Sequence, residues 1–154
     1  MKAINRYLST KIQSFSIKAT DETIHKIVKD ELDRLGHDAD LNHVDVSEVT
    51  DMNSLFSCAI DDLGPKYYDL NPDISKWDVS KVEYMEFMFF ECENFNQDIS
   101  GWDVSNVNDM DFMFNACKSF NQDISNWDVK NVKNMDNIFD DCPIKEEFKP
   151  KFRV

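Results

Sequence analysis

Apolar residues along the chain recur in two alternating rhythms. In residues 98–122, Ile99, Trp102 and Val104 fall at positions 1, 4 and 6 of one run. Val107, Met110, Met113 and Phe114 follow at i, i+3, i+6 and i+7. Trp102 and Val104 flank Asp103, so the first run predicts a short strand with the two apolar residues inward and the aspartate outward. The second run has helical or 3₁₀ spacing. Upstream, Ile24, Ile27, Val28, Leu32 and Leu35 make one apolar stripe after Thr20 or Asp21 as N-cap and before Gly36 as a stop. That predicts a helix over about 21–35. Ile4, Tyr7, Leu8 and Ile12 predict a shorter helix over residues 3–11, and Phe15 and Ile17 alternate weakly as a strand would.

The two rhythms repeat as a unit. Residues 70–92, 95–117 and 120–142 read LNPDISKWDVSKVEYMEFMFFEC, FNQDISGWDVSNVNDMDFMFNAC and FNQDISNWDVKNVKNMDNIFDDC. Trp77, Trp102 and Trp127 are 25 residues apart, as are Cys92, Cys117 and Cys142. A degenerate earlier copy starts at Asp40, with Val44 in the tryptophan position, and an eight-residue insertion lies between Phe56 and Leu70. Such a period marks stacked repeats that bury a common core. The expected fold is therefore α/β: a right-handed, leucine-rich-repeat-like solenoid of about four coils. It would have a parallel sheet on one face, short helices on the other, and a helical N-terminal cap. The expected organisation is a cap over 1–36, repeats over 37–142 with coils starting near 40, 73, 98 and 123, and a C-terminal cap or tail over 143–154.

The string DISxWDVSxVxxMxxMFxxCxxFNQ resembles the repeat of BspA-type bacterial surface proteins, within the leucine-rich-repeat superfamily, over about residues 38–142. The resemblance implies a solenoid that binds proteins of a host or a neighbouring cell. It brings no catalytic residues.

Charge narrows the choice of partner. The chain has 17 basic and 30 acidic residues, net −13. Residues 37–142 alone carry 23 acids against six bases. Such a body repels nucleic-acid phosphate and anionic lipid and favours a basic or neutral protein. Met1 to Ile17 lacks the apolar run and cleavage site of a signal peptide, and no segment has the length and apolarity of a membrane span. Together with four cysteines in 154 residues, this predicts reduced thiols and a cytoplasmic location.

Candidate chemistry concentrates in one column. Asp45, Asp78, Asp103 and Asp128 would stack about 4.8 Å apart on adjacent strands, where like charges repel and call for a reason. One reading is an acidic ladder for a Lys/Arg-rich partner, and another a cation site. The plainer one is a set of carboxylates bonded to nearby serines and backbone N–H groups. The exposed sheet face would also present His43, Lys76, Ser80, Ser105, Asn106 and Lys130. A second column, Asp40, Asp73, Asp98 and Asp123, with Asn-Gln before two of them, has the look of turn chemistry. The cysteines lack paired zinc spacing and predict a buried thiol column, with Cys58 one residue out of register. No nucleophile–base–orienter set and no Gly-rich phosphate loop can be assembled.

These readings predict a non-enzymatic protein-binding module with no cofactor, a monomer or weak end-to-end oligomer that contacts neither nucleic acid nor membrane. The alternatives are an acidic decoy of a nucleic-acid-binding enzyme, of the phage anti-defence type, and a cell-surface adhesin.

Overall fold

A computed structural model describes residues 16–59 and 65–153. The expected helix over 3–11 and the position of Phe15 lie outside these residues.

The predicted helix forms as α1, Ile24–Leu35, with Ile24, Val28 and Leu32 buried. Its start differs from the expectation. Thr23 occupies the N-cap, and Thr20 donates its N–H to the Thr23 hydroxyl. Asp21 instead reaches the first repeat, accepting from the N–H and hydroxyl of Thr50 and the N–H of Asp51. Gly36 ends the helix at φ 98°, a left-handed value that glycine adopts without a Cβ penalty. The adjoining segment β1, Ile17–Lys18, pairs in parallel with β2, Val44–Asp45.

That two-stranded pair is the only sheet among the described residues, and α1 the only α-helix. The expected α/β solenoid, with a parallel sheet on one face and helices on the other, does not form. The reason lies in how often each copy turns. Around Trp102, the N–H of Trp102 bonds the carbonyl of Ile99 and that of Val107 bonds Val104, so too few residues stay extended to build a strand. In the Met/Phe run the i, i+3 spacing arises from successive tight turns: Met88 N–H to Met85, Phe90 to Phe87 and Cys92 to Phe89. Phe87 and Glu91 sit at φ 56° and 60°, which an α-helix cannot accommodate.

The copies nevertheless lie against one another in register. In the Met/Phe run, alternate N–H groups of one copy donate to carbonyls of the next. Met52, Ser54, Phe56 and Cys58 donate to Tyr84, Glu86, Met88 and Phe90; the same four positions do so at the next two junctions, all at 2.8–3.1 Å. The N–H groups of Met135, Asn137, Phe139 and Asp141, which would continue this ladder, have no bond among the described residues.

Side chains reinforce each junction. The indole N–H groups of Trp77, Trp102 and Trp127 donate back to the carbonyls of Leu41, Ile74 and Ile99 at 3.0–3.2 Å. The Asn96 and Asn121 backbone N–H groups donate to the side-chain oxygens of Asn71 and Asn96, and Lys145 continues this onto Asn121. The Asn-Gln pairs expected to serve turns thus act between copies. Phe56, Phe89, Phe114 and Phe139 stack face to face at 5.4–5.8 Å, a favourable offset spacing for aromatic rings.

The core runs through the copies and thins at its far end. Val107, Met110, Met113 and Phe114 are fully buried, while Val132, Met135, Phe139 and Cys142 of the last copy are only half-buried. The tail crosses this end: Ile124 N–H bonds the carbonyl of Phe148, and Ile144 and Pro150 are buried. In the insertion, a 3₁₀ turn at Pro65–Tyr67 puts the Tyr67 ring inside, with its hydroxyl donating to Asp33 of α1 at 2.5 Å.

Candidate functional site

With no sheet beyond β1–β2, the expected sheet-face site has no sheet to lie on, and of its aspartates only Asp45 belongs to a strand. All four carboxylates do the same local job. Asp45 accepts from the N–H and hydroxyl of Ser47, at 3.0 and 2.7 Å. Asp78 accepts both groups of Ser80, at 3.1 and 2.6 Å. Asp103 accepts the N–H of Ser105 at 3.0 Å, and Asp128 takes both the N–H and the ammonium of Lys130. These are Asx turns, in which a carboxylate replaces a backbone acceptor two residues before the donor. The hydrogen bonds favour the charged form: bonds from Ser47 lower the pKa of Asp45, those from Ser105 that of Asp103, and those from Lys130 that of Asp128.

The remaining candidates divide between scaffold and surface. His43 bonds the buried carboxylate of Glu31 at 2.7 Å, and Arg34 pairs with the same group, so His43 ties the first copy to α1. The Asn106 amide donates to the carbonyl of Ser80 at 2.6 Å, joining two copies. Ser80 and Ser105 serve their aspartates, and Lys130 pairs with Asp128 at 2.7 Å. Lys76 is exposed, and its backbone N–H is held by Asn42. What this column offers outward is the second carboxylate oxygen of the exposed Asp78 and Asp103.

The other aspartate column repeats the device. Asp40, Asp73, Asp98 and Asp123 accept the N–H groups of Asn42, Ser75, Ser100 and Ser125. The thiols point inward: Cys92 and Cys117 donate to the carbonyls of Phe56 and Phe89 at 2.9 Å, and burial pushes both pKa values up. Cys58 joins them, its sulfur 3.6 Å from that of Cys92. The chain turns inward one residue earlier there than in the later copies.

A second surface group was not singled out from the sequence. Phe87, Phe90 and Phe112 are half-buried and stand apart from the core cluster. Phe87 and Phe112 stack at 4.8 Å and 8°, and Phe90 meets Phe87 edge-on at 5.4 Å. They fall outside the i, i+3, i+6, i+7 positions of the apolar run, which gave them no role. The available signal was the column itself, where Ser54 and Asn137 occupy the positions of Phe87 and Phe112. Beside this group lies Glu86, whose carboxyl is raised in pKa by burial and then by Asp109, Asp111 and Asp51.

A family model described as "Mycoplasma protein of unknown function, DUF285" matches residues 30–150. The chain belongs to this family. The match takes in the second half of α1 from residue 30, all four copies of the DUF285 chain and the 3₁₀ turn at Glu146–Phe148. No curated protein and no solved structure matches it. No helix among the described residues is long and apolar enough to cross a membrane.

Proposed function

We propose that this DUF285 chain is a non-enzymatic protein-binding module for a basic or neutral protein. One observation carries the reading. Residues 83–117 contain eight carboxylates and neither lysine nor arginine, none of the eight is buried, and none is in an ion pair among the described residues. Clustered like charges oppose folding of the stack, and a cationic partner relieves that repulsion. The BspA-type resemblance of the repeat supports the same class of function, with the copies as scaffold and their differences as the surface. The second carboxylate oxygen of the exposed Asp78 adds to these charges.

The test is retention of proteins from a cell extract on immobilised chain, compared with an unrelated folded protein of equal charge. Specific retention that survives about 0.15 M salt, where screening acts beyond roughly 8 Å, is expected. An Asp78→Asn/Asp103→Asn variant keeps the turn acceptors and removes two charges. Retention no different from the control protein would refute the reading. The acidic decoy reading draws on the same eight carboxylates, and binding to a nucleic-acid enzyme that collapses between low and physiological salt would favour it.

A further inference from the structure

The three half-buried phenylalanines of the middle copies stand where the backbone least favours them. Their column runs Ser54, Phe87, Phe112, Asn137, with φ of 59°, 56°, 56° and 53°. Serine and asparagine reach this left-handed region at modest cost, while for a bulky side chain it is a conformational outlier. Phe90 likewise occupies a column whose other members are Ser57, Asn115 and Asp140. Nor does packing against the core explain these rings, because they contact one another outside it. Backbone strain kept for half-buried rings outside the core, with their mutual stacking as the return, points to a working surface.

We propose that Phe87, Phe90 and Phe112 form the anchor of a docking patch for a partner segment that alternates arginine or lysine with aliphatic residues. This rests on the basic-partner reading above and gives it a place. The rings supply an apolar floor and π faces over which a guanidinium can lie. Glu86 and Asp111, the residues immediately before Phe87 and Phe112, supply opposite charge along the edge of the rings, with Asp109 also near enough to Glu86 to perturb it. An aromatic centre within a charged rim is the usual anatomy of an interaction hot spot. The same rim repels anionic lipid, nucleic acid and a second copy of this acidic chain, which selects a cationic polypeptide.

The experiment uses the full chain and three short fluorescein-labelled peptides, alternating Arg-Leu, Arg-Ser and Glu-Leu, followed by anisotropy. The Arg-Leu peptide is expected to bind at least about tenfold more tightly than the other two, a difference of about 1.4 kcal/mol. In a Phe87→Ser/Phe112→Asn variant that advantage disappears. These substitutions install the residues of the end copies at the same backbone angles, so the fold is retained, as a thermal melt will verify. A Phe87→Tyr/Phe112→Tyr variant keeps the advantage. Equal binding of Arg-Leu and Arg-Ser, or an unaltered preference in the Ser/Asn variant, overturns the patch and leaves the basic-partner reading standing. Binding of Glu-Leu as tight as that of both arginine peptides overturns both.

Discussion

The indole of Trp102 offers a direct measure of how firmly the copies are joined. It is 4% exposed, donates to the carbonyl of Ile74 at 3.2 Å, and stacks on Trp127 at 6.4 Å and 4°. Replacing it with phenylalanine removes the donor and the second ring. The Ile74 carbonyl keeps the backbone N–H of Trp77 at 3.1 Å, so it is not orphaned. The hydrogen bond therefore costs its net value, about 1 kcal/mol. The lost ring volume, roughly 40 Å³ at about 24 cal/mol per Å³, adds about 1 kcal/mol. Weaker stacking adds about 0.5 kcal/mol. Trp102→Phe is thus expected to destabilise the chain by about 2–3 kcal/mol. Urea unfolding followed by far-UV circular dichroism reads this without depending on the altered fluorophore. A loss below about 0.5 kcal/mol would refute the claim that the indole holds the second and third copies together.

Other consequences can be checked in the same way. Ala116 sits at φ 58°, so Ala116→Gly is expected to raise stability by about 0.5–1 kcal/mol, measured as the urea midpoint. At Asp103, alanine removes the acceptor for Ser105 and should cost about 1 kcal/mol, whereas asparagine retains it and should cost little. Acid should weaken the fold through the lowered carboxylates Asp45, Asp73, Asp98 and Asp103. Their contribution is complete above the unfolded carboxylate pKa near 4 and is lost as pH falls through their lower folded values. A urea midpoint that stays level from about pH 5 down to pH 2 would contradict this. Among the thiols, Cys142 is half-buried and Cys58, Cys92 and Cys117 are buried, so Cys142 should be alkylated first in the native chain, by mass spectrometry of timed samples.

The sequence made some of this architecture legible and misled on the rest, for identifiable reasons. The tryptophan, methionine and cysteine columns mark the core because their period is exact to the residue, and α1 announces itself by its stripe and by Gly36. The strand and helix assignments for each copy fail because apolar spacing reports which residues face inward, not which hydrogen bonds take them there. Ile99, Trp102 and Val104 point inward from a chain of turns as well as they would from a strand. Likewise Met110, Met113 and Phe114 face the core from consecutive tight turns, with Phe112 and Ala116 left-handed between them. No local propensity signals phenylalanine at positive φ. At the site, the Asp-x-Ser spacing already carried the turn chemistry, and the plainer reading of carboxylates bonded to nearby serines and backbone N–H groups is the one the hydrogen bonds bear out. Asn106 and His43 were indistinguishable from surface residues until their partners 26 and 12 positions away were in place.

Because the ladder joins the same four positions at every junction, the copies are interchangeable parts. The donors of residues 85–91 meet the carbonyls of residues 109–115, and those of residues 110–116 meet residues 134–140 in the same way. Removing residues 98–122 would set the second copy against the last without asking either to present a new edge. Duplicating them would do the reverse. Chain length is then free to change by unequal recombination, one 25-residue unit at a time, while each newly added unit brings its own outward residues.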